Sequence, residues 1–65
     1  MKWVEMRTLA GQIIVTGLMG KETYMHFIRE RAGTGYDEQA KKLWEEATPN
    51  SLADYIYNIK VRVTE

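Results

Sequence analysis

The chain has 65 residues, no cysteine, one histidine, and nine basic side chains balanced by nine acidic ones. That length allows one small domain, which buries only about 60% of the surface its unfolded form exposes. The missing cysteines exclude disulfides, thiolate zinc sites and thiol chemistry, and the cancelled charge gives no electrostatic reason to expect nonspecific nucleic-acid binding.

Residues 2–8 and 12–16 read as two strands. Trp3, Val4 and Met6 populate the first, and Ile13, Ile14 and Val15 the second. Leu9-Ala10-Gly11 connects them, and a glycine there, free to take positive φ, fits a hairpin with a bulged turn. Ile13-Ile14-Val15 is also the longest apolar run, far short of the roughly 20 residues a membrane-spanning helix needs. The start of the chain lacks the pattern of a secretory signal. These features predict a cytoplasmic protein without a membrane partner.

A helix is expected from Gly20 or Lys21. Tyr24, Phe27, Ile28 and Ala32 give its apolar stripe at helical spacing, widened by Met25. Arg29 and Arg31 in the last turn suit the helix dipole, and Gly33 suits a C-terminal cap. A turn over Gly33-Thr34-Gly35 leads to a second helix, with Asp37 as candidate N-cap and Ala40, Leu43, Trp44 and Ala47 as its stripe. Glu38–Lys42, Lys41–Glu45 and Lys42–Glu46 have the spacing of favourable ion pairs along a helix. Pro49 terminates it.

The clearest periodicity lies at the end. Tyr55, Tyr57, Ile59, Val61 and Val63 alternate with Ile56, Asn58, Lys60, Arg62 and Thr64, as in a half-buried strand. Leu52, Tyr55, Ile56 and Ile59 also satisfy helical spacing, so residues 49–58 admit either reading. The β-branched residues after Ile59 favour a short helical turn over about 49–54 and a strand over about 55–63. The fold class is therefore α+β: an N-terminal β-hairpin, two amphipathic helices, and a C-terminal strand completing a small three-stranded antiparallel sheet. The alternative is a hairpin with three helices. Thr23-Tyr24-Met25-His26-Phe27-Ile28, then Trp44, Pro49-Asn50-Ser51 and Tyr55-Ile56, resemble the small helical YozE-type domains with a sterile-alpha-motif-like fold. That resemblance spans about half the chain and implies an all-helical domain; the N-terminal hairpin has no counterpart in it.

Few residues point to chemistry. Gly33-Thr34-Gly35 before a helix could offer amides to a phosphate, but it lacks the P-loop lysine, and Asp37 and Glu38 would repel an anion. It reads as a cap and turn. His26 lies one turn from Glu22 and Glu30, without a nucleophile or a third metal ligand, and reads as a surface histidine. No catalytic residue, cofactor site or metal site is assigned. The candidate partner-binding residues are Trp3, Tyr55, Tyr57, Lys60 and Arg62: aromatic side chains that dominate interfaces when buried between partners, and two cations sharing one strand face. They suggest a non-catalytic protein-interaction or regulatory module, of the kind found among small accessory proteins of bacteria and their mobile elements. Its partner would be a protein or a second copy of the chain. The alternative is a nucleic-acid-binding module using the Lys60/Arg62 face.

Overall fold

A computed structural model describes all 65 residues. Its elements are β1 (Lys2–Thr8), β2 (Ile13–Met19), α1 (Lys21–Ala32), a single 3-10 turn (Thr34–Tyr36), α2 (Asp37–Glu45), β3 (Asp54–Ile56) and β4 (Ile59–Thr64). The strands form one antiparallel sheet in the order β2-β1-β4-β3. The α+β class, the N-terminal hairpin and both helices agree with the sequence reading. The sheet has four strands rather than three, and the all-helical architecture implied by the resemblance is absent.

The first hairpin turns where glycine permits it. Gly11 has φ 90°, and its amide donates to the Thr8 carbonyl at 2.9 Å. Beyond the turn, Met6 faces Val15 but Arg7 faces Ile13, so Ile14 is the extra residue of a bulge. At the other end of the chain the expected single strand is two. Ile56 pairs with Ile59 across a two-residue turn of Tyr57 and Asn58, and Tyr57 takes φ 54°. The short helical turn expected over about 49–54 is instead a β-turn. The Ser51 amide donates to the Thr48 carbonyl at 3.3 Å, and the Thr48 amide to Ser51 Oγ at 2.7 Å.

The two-residue turn changes which side chains face inward. A continuous strand would place Tyr55 and Tyr57 beside Ile59, Val61 and Val63. The turn moves Ile56 into that row and Tyr55 to the opposite face, beside Lys60. Ile56, Ile59, Val61 and Val63 join Val4, Met6 and Met19 on one face of the sheet. Tyr24, Met25 and Ile28 of α1, with Ala40 and Trp44 of α2, cover them to complete one core. No charged or polar side chain is buried in it apart from the tyrosine hydroxyl.

Tyr24 locks the helical layer. Its ring lies 5.0 Å from that of Trp44, and its hydroxyl donates to the Ala40 carbonyl at 2.7 Å. Full burial pushes the phenol's ionisation well above its ordinary value. Lys2 holds α2 from the sheet side. Its Nζ donates to the Trp44 carbonyl at 2.6 Å and stands 5.3 Å from the Trp44 ring centre, at the helix end where a cation is favoured. Asp37 is the first residue of α2 and makes no capping bond; Tyr36 precedes it as the cap residue. The Asp37 carboxylate is taken instead by Arg29, at 3.0 Å, which holds Asp37 below its usual carboxylate range and raises Arg29. The anticipated pairs along α2 do not close either: Glu45 reaches Lys21 across the helices at 3.1 Å.

Three substitutions test this packing. Replacing Tyr24 by Phe keeps the packing and removes one buried hydrogen bond, so urea unfolding is expected to show a loss of about 0.5–1.5 kcal/mol. Ile56→Ala is expected to cost about 2–5 kcal/mol as a core truncation. Tyr55→Ala, on the exposed face, is expected to change stability by less than about 0.5 kcal/mol. A continuous strand would reverse that order.

Candidate functional site

Both helices cover the same face of the sheet, and the other face has no layer over it. The strand registers arrange its side chains in three rows. Leu18, Trp3 and Thr64 form one; Thr16, Glu5 and Arg62 the next; Ile13, Arg7, Lys60 and Tyr55 the third. Trp3, Ile13, Leu18 and Tyr55 are all exposed, Leu18 by 65% and Ile13 by 61%. Single exposed apolar residues are ordinary, but several on one sheet face rimmed by polar groups mark a surface suited to contact.

The charges on this face are ordered. Glu5 Oε1 accepts from Arg62 Nη2 at 2.6 Å and from Trp3 Nε1 at 3.1 Å. The bond from Arg62, followed by that from Trp3, holds the Glu5 carboxyl below its ordinary value of 4.5. One carboxylate thus fixes both an arginine and the tryptophan ring. Arg7 donates to the Gly11 carbonyl at 3.2 Å, which steers it along the hairpin. Lys60 makes no side-chain ion pair or hydrogen bond, so its ammonium is free. Three cations stand against one carboxylate, and the face is positive although the chain is neutral.

A shallow depression of about 200 Å³ lies over β1 and β4 on this surface, lined by Glu5, Arg7, Lys60 and Arg62 with Leu52 and Ala53. The last two belong to the segment between α2 and β3, just after the Thr48–Ser51 turn. Leu52 is 87% exposed. The depression therefore presents an apolar lip beside a cationic floor.

Four of the five residues expected from the sequence share this face: Trp3, Tyr55, Lys60 and Arg62. Trp3 and Tyr55 lie in the two outer rows, with Arg62 in the row between them and Lys60 beside Tyr55. Tyr57 is set apart. It sits at the tip of the second hairpin, with its ring 5.7 Å from that of Tyr36. Its positive φ costs a non-glycine residue roughly 1–2 kcal/mol, and the ring contact offsets part of that. Glu5, Arg7, Ile13, Leu18 and Leu52 were not among the expected residues. Alternation along residues 2–8 already places Glu5 and Arg7 with Trp3. The others depend on the bulge and on the course of a loop.

The remaining candidates stay apart from this surface. Gly33-Thr34-Gly35 forms the helix cap and 3-10 turn, with Gly33 at φ 72° and its amide on the Arg29 carbonyl. His26 pairs with Glu30 at 3.1 Å on the exposed side of α1, and both side chains are more than half exposed. No group of three His, Cys, Asp or Glu side chains is placed to hold a metal ion. No helix is long and apolar enough to cross a membrane.

The Glu5 tie has a pH signature. A carboxyl held low in the fold contributes stability above its unfolded value, and that contribution is lost as pH falls through the lower folded value. Trp3 emission is therefore expected to titrate with a midpoint below 4.5, and Glu5→Gln is expected to abolish the step. A midpoint at or above 4.5 would mean that the Arg62–Glu5–Trp3 contact does not persist in solution.

No family model, curated protein or solved structure matches this chain.

Proposed function

We propose that this chain is a non-catalytic binding module whose helix-free sheet face docks an acidic segment of another protein. The observation that carries the reading is the placement of Trp3, Ile13, Leu18 and Tyr55 on the same face as Arg7, Lys60 and Arg62. Aromatic and apolar anchors provide the area that is desolvated on binding. The cations add steering and register for a negatively charged partner. The groups available here are suited to holding a surface rather than transforming one: the single carboxylate is already committed to Arg62 and Trp3.

Glu5 favours a polypeptide over nucleic acid. It stands in the central row, ionised, where a phosphate backbone crossing the sheet would pass. The second reading rests on the same face in a different way. Trp3 and Tyr55 offer two rings on an antiparallel sheet face that also carries cations, an arrangement that can stack the bases of a single strand.

Two probes separate these readings: an acidic peptide containing leucine and phenylalanine, and an oligothymidylate. Amide shift changes on adding the peptide are expected along β1 and β4 and at Tyr55. The double variant Arg7→Gln/Lys60→Gln, which leaves the Arg62–Glu5 pair in place, is expected to weaken binding at least about tenfold, equivalent to about 1.4 kcal/mol, with little change in unfolding temperature. Peptide shifts confined to the helices would overturn the proposal. So would tighter binding of the oligonucleotide with an affinity falling steeply in salt, since that slope reports released counterions.

A further inference from the structure

The sheet has two edges, and they are finished differently. At the β3 edge, Tyr55 carries an amide and a carbonyl that side chains already occupy. Asp54 Oδ1 accepts from the amide at 2.8 Å, and Gln39 Nε2 donates to the carbonyl at 2.8 Å. That strand is also only three residues long. Short strands and covered backbone are how proteins prevent edges from pairing.

The β2 edge has none of this. Its seven residues, Ile13–Met19, contain no charged residue and no proline, and no side chain bonds to their backbone. No further strand lies beyond it. The bulge at Ile14 interrupts its first turn of ladder and leaves Val15–Met19 as the regular part. We propose that this edge pairs antiparallel with the same edge of a second copy, joining two sheets into one continuous sheet with all helices on one side.

A second copy fits this edge better than a different partner does. Antiparallel pairing of a strand with itself is two-fold symmetric, so the bare amides and carbonyls of one copy meet their complement in the other. The strand is uncharged, so the two copies bring no like charges together, and it offers nothing by which a charged partner would be selected. The chain as a whole has no net charge, which removes the long-range repulsion that keeps strongly charged chains apart. The contact does not use Arg7, Lys60 or Arg62, so it stands independently of the open-face reading. In the pair, the two open faces lie side by side on the same surface. A stable interface buries about 800 Å² per partner, and a strand edge alone provides less. The dimer is therefore a weak one, visible as a concentration-dependent equilibrium.

Sedimentation velocity over a concentration series up to about 1 mM, the range of weak interfaces, tests it. The mean mass is expected to rise from monomer towards dimer. Thr16→Lys and Leu18→Lys place a charge on exposed positions of β2 outside the core. Each is expected to leave a monomer at every concentration with an unchanged unfolding temperature. Lys60→Gln, which leaves the Arg62–Glu5 pair in place, is expected to leave the dimer intact. Amide exchange in Val15–Met19 is expected to slow as concentration rises. A constant monomer mass would overturn the proposal, as would a dimer that survives both β2 variants or that vanishes only with Lys60→Gln. Because the peptide titration can be repeated on the monomeric Thr16→Lys variant, which keeps the Trp3, Ile13, Leu18 and Tyr55 anchors, failure of the edge contact and failure of the open face give different results.

Discussion

The backbone pairing of β1 with β4 runs from Trp3–Thr64 to Thr8–Ile59, and it is the only ladder shared by the two hairpins. Each hairpin closes locally, through Gly11 at one end and the Tyr57–Asn58 turn at the other. Neither hairpin alone buries its apolar row. Val4 and Met6 become core only when Val63 and Val61 arrive beside them, and the helices have a surface to cover only once both pairs are in place. The closure brings together residues separated by most of the chain, at an entropic cost of roughly 3–4 kcal/mol plus a constant. Its return comes from the burial of Ile56, Ile59, Val61 and Val63 together with Tyr24, Ile28 and Trp44.

The same constraint explains why one face of the sheet stays open. The two helices are short and both fall between β2 and β3 in sequence, so they pack as one layer. The other elements, β1 to β4, all belong to the sheet itself. The open face must then be compatible with water, which Glu5, Arg7, Lys60, Arg62 and the threonines provide. The exposed Trp3, Ile13, Leu18 and Tyr55 go beyond that requirement. Likewise, Tyr57 is a costly choice for a turn that Gly or Asn would fill without strain. Its contact with Tyr36 ties the tip of the second hairpin to the turn between the helices.

Much of this fold was legible in the sequence. Helical spacing located Tyr24, Ile28, Ala40 and Trp44, and glycine chemistry located the first turn and the end of α1. The C-terminal alternation hid a turn because Tyr57-Asn58 carries no glycine and the apolar residues continue on both sides of it. A two-residue reversal also shifts the inward row from Tyr55 and Tyr57 to Ile56, which periodicity alone does not disclose. Long-range polar contacts were equally out of reach. Lys2 on the Trp44 carbonyl and Arg29 on Asp37 depend on how layers meet, and side chains that could have paired locally found those partners instead. Of the candidate site, the Lys60/Arg62 row and Trp3 could be read directly. Their convergence with Arg7 and Tyr55 required the strand order.

The facing of Trp3 and Thr64 on adjacent central strands has a topological consequence. The chain comes in and goes out at the middle of one end of the sheet, with Lys2 and Glu65 close enough to form an ion pair at 3.7 Å. A unit whose two ends meet in this way can be spliced into a surface loop of a host protein without stretching it. For the same reason its ends can be joined and new ones opened at Leu9-Ala10. The sheet would then remain whole while the order of its elements along the chain changed.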